Sequence, residues 1–99
     1  MYQIIIKKKA KKFIDKLPQN ERKRVSSAIE KLPNGEDIKP LKGEKNKGLL
    51  RLRVGNYRII YTVDNGKLIV YVIDADNRGD IYKRYWLYIS LLENLIFVY

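Results

Sequence analysis

The 99 residues carry 21 Lys and Arg against 11 Asp and Glu, a formal charge of +10 on a chain long enough for one domain. Cysteine and histidine are both absent, which excludes disulfides, thiolate catalysis, Cys-ligated zinc, Ser-His-Asp hydrolases and His-pair ribonucleases. Proton chemistry is left to Lys, Arg, Tyr, Asp and Glu.

Residues 2–6 open the chain as a short β-rich run, too short for the apolar core of a signal sequence. Ala10, Phe13, Ile14 and Leu17 then recur at helical spacing, with Lys8, Lys11, Lys12 and Lys16 on the opposite face. Leu17-Pro18 breaks this helix, and a second begins near Pro18 to Asn20 with Glu21 in its first turn. Val25, Ala28, Ile29 and Leu32 repeat the apolar spacing until Pro33-Asn34-Gly35 ends it. Two amphipathic helices joined this closely form a hairpin whose apolar stripes must cover one face of a sheet.

Residues 34–48 are polar and rich in Gly and Lys, and read as a loop. Strands are predicted over residues 49–54, 57–63 and 67–73, joined through Gly55-Asn56 and Asn65-Gly66. The most apolar stretch, residues 85–99, contains Ser90, Glu93 and Asn94 and falls short of the roughly 20 residues needed to span a bilayer. A soluble, cytoplasmic protein with no membrane partner is expected. The predicted class is α+β: an N-terminal strand, a helix hairpin, then an antiparallel three-stranded meander, with the helices on one face of a twisted sheet.

Charge is uneven along the chain. Residues 1–60 hold seventeen basic and six acidic side chains, a net of +11, and residues 61–99 hold four and five, a net of −1. Such asymmetry points to a polyanionic partner, either nucleic acid or an acidic protein.

A two-residue Gly55-Asn56 turn sets Val54 opposite Tyr57, Arg53 opposite Arg58, and Leu52 opposite Ile59. Alternation then places Leu52, Val54, Tyr57 and Ile59 on the core face and Arg51, Arg53 and Arg58 on the other. Directly opposed arginines cost about 0.2–1 kcal/mol, and neither strand carries a carboxylate to relieve them. Guanidiniums in this arrangement fit bidentate phosphate binding. A two-residue second turn adds Ile69, Tyr71 and Ile73 to the same face, where an aromatic ring can stack a base.

The helix hairpin, Leu41-Lys42-Gly43, the run Leu49-Leu50-Arg51-Leu52-Arg53-Val54-Gly55-Asn56-Tyr57-Arg58-Ile59-Ile60-Tyr61, and Arg78-Gly79-Asp80-Ile81-Tyr82 together resemble the RelE/ParE toxin superfamily, closest to RelE. The resemblance covers residues 1–85. It implies a single RelE-like toxin domain over residues 1–99, with 86–99 as an apolar C-terminal extension. It further implies a ribosome-dependent endoribonuclease that cuts mRNA in the A site by 2′-hydroxyl attack on the adjacent phosphate, using no metal or other cofactor. The implied partners are a RelB-like antitoxin, the ribosome and mRNA.

By the same resemblance, Arg53 and Arg58 clamp the phosphate and stabilise its dianionic transition state. Tyr82 is the general base, its phenol pKa lowered by neighbouring guanidiniums, and Arg78 stabilises the leaving 5′ oxygen. Arg51, Lys42, Lys45, Lys47 and Tyr71 are the expected RNA-binding residues. Arg51 and Arg53 stand where RelE carries mostly lysines, and an arginine cannot serve as a base. Three rivals stay open: a ParE-like topoisomerase inhibitor, a non-catalytic nucleic-acid-binding module, and an inactive toxin relic.

Overall fold

The computed structural model describes residues 2–41 and 48–77. Lys42, Lys45, Lys47, Arg78, Tyr82 and the 86–99 extension lie outside the described residues.

Chain order is β1 (Gln3–Ile6), α1 (Lys8–Asp15), α2 (Gln19–Glu30), β2 (Ile38–Pro40), β3 (Leu50–Val54), β4 (Tyr57–Asp64) and β5 (Ile69–Asp76). The strands form one five-stranded sheet in the order β1-β5-β4-β3-β2. All neighbours are antiparallel except β1, which lies parallel to β5. The fold is the expected α+β arrangement with two helices on one sheet, and the sheet is larger than the three-stranded meander read from the sequence.

The extra strand is β2, inside the segment read as a loop. Its pattern is too short and too polar to announce a strand, with Lys39 and Pro40 both exposed. It forms because β3 offers an open edge: Ile38, Lys39 and Pro40 pair with Leu52, Arg51 and Leu50. Proline suits such an edge, since among the described residues its missing N–H faces no further strand.

Neither helix starts with a side-chain cap, and α1 has no acidic residue in its first turn. The eight residues of α1 are too few to be helical on propensity alone. Burial holds it: Ala10 and Ile14 from α1, with Val25 and Ile29 from α2, enter one cluster with Leu52, Val54, Ile59, Tyr61, Val70, Val72 and Ala75. The predicted helical stripes and core strand positions therefore meet in one layer. Phe13 packs edge-on against Tyr57, ring centroids 6.0 Å apart. No helix of the described residues is long and apolar enough to cross a membrane.

The second turn differs from the two-residue loop expected. Asp64 pairs with Ile69, leaving Asn65 to Leu68 as a four-residue connection. Asp64 Oδ1 accepts from the Lys67 backbone N–H at 3.0 Å, and the Tyr2 hydroxyl donates to Asn65 Oδ1 at 2.7 Å. Lengthening the turn by two residues preserves side-chain parity, so Ile69 and Tyr71 still fall on the arginine face. A bulge ends that agreement: Ile60 pairs with Asp74 and Tyr61 with Val72, which leaves Ile73 unpaired between them. Asp74 and Asp76, not Ile73, occupy the following positions on that face.

Candidate nucleic-acid interface

The observed β3–β4 register is the one the turn chemistry predicts, with Arg53 opposite Arg58 and Leu52 opposite Ile59. Gly55 opens the turn at φ +59°, a conformation glycine adopts without the steric cost a Cβ brings. Arg53 Nε donates to the Gly55 carbonyl at 3.3 Å and Arg58 Nη1 to the Asn56 carbonyl at 3.5 Å. Arg53 is exposed and Arg58 half-buried. The two guanidiniums thus gather at the hairpin end of the sheet, on the face away from the helices.

The third strand supplies what the pair lacks by itself. Arg58 has Asp76 of β5 as its other cross-strand partner, so one row across the sheet reads Arg53, Arg58, Asp76. A carboxylate position beside Arg58 moderates the like-charge repulsion. Among the described residues, no acidic side chain forms an ion pair with Arg53.

Arg51 is placed differently from its sequence neighbours. It is 8% exposed, and its Nη2 donates to Asp37 Oδ1 at 2.8 Å. Asp37 stands just before β2, and its carbonyl also accepts from the Arg53 N–H at 3.0 Å. Arg51 therefore ties the edge strand to the sheet through a charge-assisted bond, which Arg53 does not. The sequence offered no route to this pair, because Asp37 lay in a segment with no assigned partner.

Asp74, in the Arg51-Ile60-Asp74 row, is also buried. Its Oδ1 accepts from the Ala75 N–H at 2.8 Å, and Lys9 Nζ stands 3.4 Å from Oδ2. This contact links the start of α1 to the end of β5.

Tyr71 shares the arginine face but not the arginine cluster. Its partner on β4 is Thr62, four residues from Arg58 in the sequence, or roughly 13 Å along the strand at about 3.3 Å per residue. Lys7 Nζ lies 5.3 Å from the Tyr71 ring centroid, a cation–π contact at the β1 side of the sheet.

Arg24 of α2 was not singled out by the sequence pattern. It reaches the same hairpin from the helix side, packing over Gly55. Its position follows from the helix-on-sheet docking, which only the tertiary structure supplies. Among the described residues, no group of three or more acidic side chains is placed to hold a metal ion.

A family model described as the ParE toxin of type II toxin–antitoxin system, parDE, matches residues 4–82. The structure is similar to a chain of the RelBE2 toxin–antitoxin complex from Mycobacterium tuberculosis, at 26% identity and a TM-score of 0.64, covering 78% of this chain and 98% of that one. It is similar to a chain of the archaeal RelE–RelB complex from Pyrococcus horikoshii, at 28% identity and a TM-score of 0.62, covering 79% and 96%. The isolated Escherichia coli RelE toxin shares the fold at 21% identity and a TM-score of 0.63, covering 90% and 99%. No curated protein matches the sequence.

Proposed function

The chain belongs to the ParE toxin family of type II toxin–antitoxin systems, within the RelE/ParE superfamily, and from that premise we propose that it is a RelE-type endoribonuclease acting on mRNA in the ribosomal A site. The observation that carries this reading is the Arg53–Arg58 pair, opposed across one hairpin on the face away from the core. Arginine forks bind phosphate oxygens bidentately, and like charges set side by side are stabilised by the anion that bridges them.

In the proposed reaction the ribose 2′ oxygen bonds to phosphorus and the bond from phosphorus to the 5′ oxygen breaks. Cleavage leaves a cyclic phosphate and a 5′ hydroxyl. Negative charge builds on the phosphoryl oxygens as this happens, and Arg53 and Arg58 are the groups that bind it, more strongly in the transition state than before it. Tyr82 accepts the proton from the 2′ hydroxyl, and the departing 5′ oxygen, stabilised by Arg78, takes a proton from solvent water to become the 5′ hydroxyl. Arg51 contributes by holding β2 and β3 together around Asp37. Lys42, Lys45, Lys47 and Tyr71 guide the RNA strand outside the reacting centre.

The relatives from M. tuberculosis and P. horikoshii are toxin–antitoxin complexes. A RelB-like antitoxin is accordingly the partner proposed for this chain, and an acidic one complements its charge of +10.

The ParE family model favours a second reading, inhibition of a type II topoisomerase without RNA cleavage. One experiment separates the two. Primer extension on mRNA held in programmed ribosomes, with and without EDTA, is expected to show metal-independent cuts in the A-site codon. An uncut message from the folded protein, with inhibited gyrase supercoiling, establishes the topoisomerase reading instead.

A further inference from the structure

Arg24 reaches the proposed phosphate clamp from the opposite layer of the fold. A Cβ placed on Gly55 would stand 2.5 Å from Arg24 Nη2 and 2.9 Å from both Cζ and Nη1. The guanidinium therefore occupies the space that a side chain at position 55 would fill. Across the turn, Arg53 donates to the Gly55 carbonyl and Arg58 to the Asn56 carbonyl. A two-residue turn is thus bracketed by three guanidiniums, one from α2 and two from the strands.

Arg24 keeps donors available for a ligand. Its side chain is 55% exposed, and its carboxylate neighbour Glu21 is 3.7 Å away, a surface pair beyond hydrogen-bonding distance. Nothing in the packing of α2 requires a cation there, since Val25 and Ile29 supply the buried face. The absence of a side chain at Gly55 leaves the Arg24 guanidinium room beside the turn.

We propose that Arg24 is a third anion-binding residue of this site and takes the RNA backbone phosphate next to the one held by Arg53 and Arg58. The inference rests on the ribonuclease reading above and deepens it. Arg24 reaches the turn from the helix side and Arg53 belongs to the opposite face, so an RNA strand crossing the turn meets both cations. Gly55 serves this geometry twice, by adopting the left-handed turn and by leaving room for the guanidinium.

The test is binding of a 2′-O-methyl RNA oligonucleotide, which cannot be cleaved, measured by fluorescence anisotropy across a salt series. Arg24→Ala is expected to weaken binding about tenfold and to reduce the salt slope by about 0.7, the single-strand value for one phosphate contact. Arg24→Lys restores the slope but only part of the affinity, because it keeps the charge and loses the fork. Gly55→Ala keeps the charge but displaces the guanidinium and strains the turn at φ +59°, and is expected to bind no more tightly than Arg24→Ala. Should Gly55→Ala fail to fold, the two Arg24 variants decide the matter. Arg24→Ala binding as tightly as the unmodified chain, while Arg53→Ala binds weakly, overturns the Arg24 proposal and leaves the ribonuclease site standing. If Arg53→Ala binds normally, or the unmodified chain does not bind at low salt, the site reading itself falls and takes this proposal with it.

Discussion

Arg51 donates to Asp37 at 2.8 Å, whereas Arg53, two residues further along the same strand face, has a carbonyl as its acceptor and, among the described residues, no ion pair. One arginine is committed to the fold and the other is available to a ligand. Asp37→Ala strands the Arg51 cation in a site where it is only 8% exposed. We expect a loss of about 1–3 kcal/mol, the cost of an unsatisfied buried donor, read as a shifted denaturant midpoint. Asp37→Asn, which keeps an acceptor, should recover part of it.

Arg53→Ala removes one of two like charges facing each other across the hairpin. Stability is expected to hold or rise by about 0.2–1 kcal/mol, while RNA cleavage on programmed ribosomes is lost. Arg58→Ala should lose cleavage as well, without the gain in stability, since Arg58 also has Asp76 beside it in the sheet. Full cleavage by both variants removes the phosphate clamp from the mechanism.

Arg78→Ala and Tyr82→Phe are expected to fold as the unmodified chain does and to lose cleavage. Tyr82→Phe keeps the ring and deletes only the proton acceptor, so it distinguishes chemistry from packing. Thermal melts beside the primer-extension assay check both halves of the expectation. Normal cleavage by Tyr82→Phe assigns the base elsewhere.

Tyr61 lies in the core with no exposure, and among the described residues its hydroxyl has no hydrogen-bond partner. Desolvation by burial raises its pKa above the ordinary phenol value of 10.0. The unfolded chain therefore releases this proton at lower pH than the folded one, and stability declines once pH passes about 10. Tyr61→Phe leaves no buried hydroxyl unsatisfied, so at neutral pH its melting temperature should hold or rise. Between pH 10 and 11 its stability should fall less steeply than that of the unmodified chain. A steeper fall overturns the assignment.

Much of the fold was legible in the sequence because its information is local. Ala10, Ile14, Val25, Ile29 and Leu32 repeat at helical spacing, and each is buried in the core. Gly55-Asn56 fixes a turn, the turn fixes the register, and the register alone sets Arg53 opposite Arg58. The candidate phosphate clamp was visible for that reason. Both of its arginines come from one hairpin, and only Asp76, which completes their row, comes from another strand.

What the tertiary structure decided involves residues far apart in sequence or patterns too short to read. β2 exists because β3 has an open edge, and Asp37 comes with it to bind Arg51. The bulge beside Ile73 passes its place on the arginine face to Asp74 and Asp76, because an extra residue changes the parity of everything after it. Tyr71 shares the predicted face yet sits with Lys7, since face is set by alternation but position along the strand by pairing. Arg24 joins the hairpin only when α2 docks on the sheet. Composition, helical stripes and the first turn were determined by the sequence itself, through steric preference and apolar spacing. The partner of each charge was decided by packing, because charges carry no periodicity that reveals what they will meet.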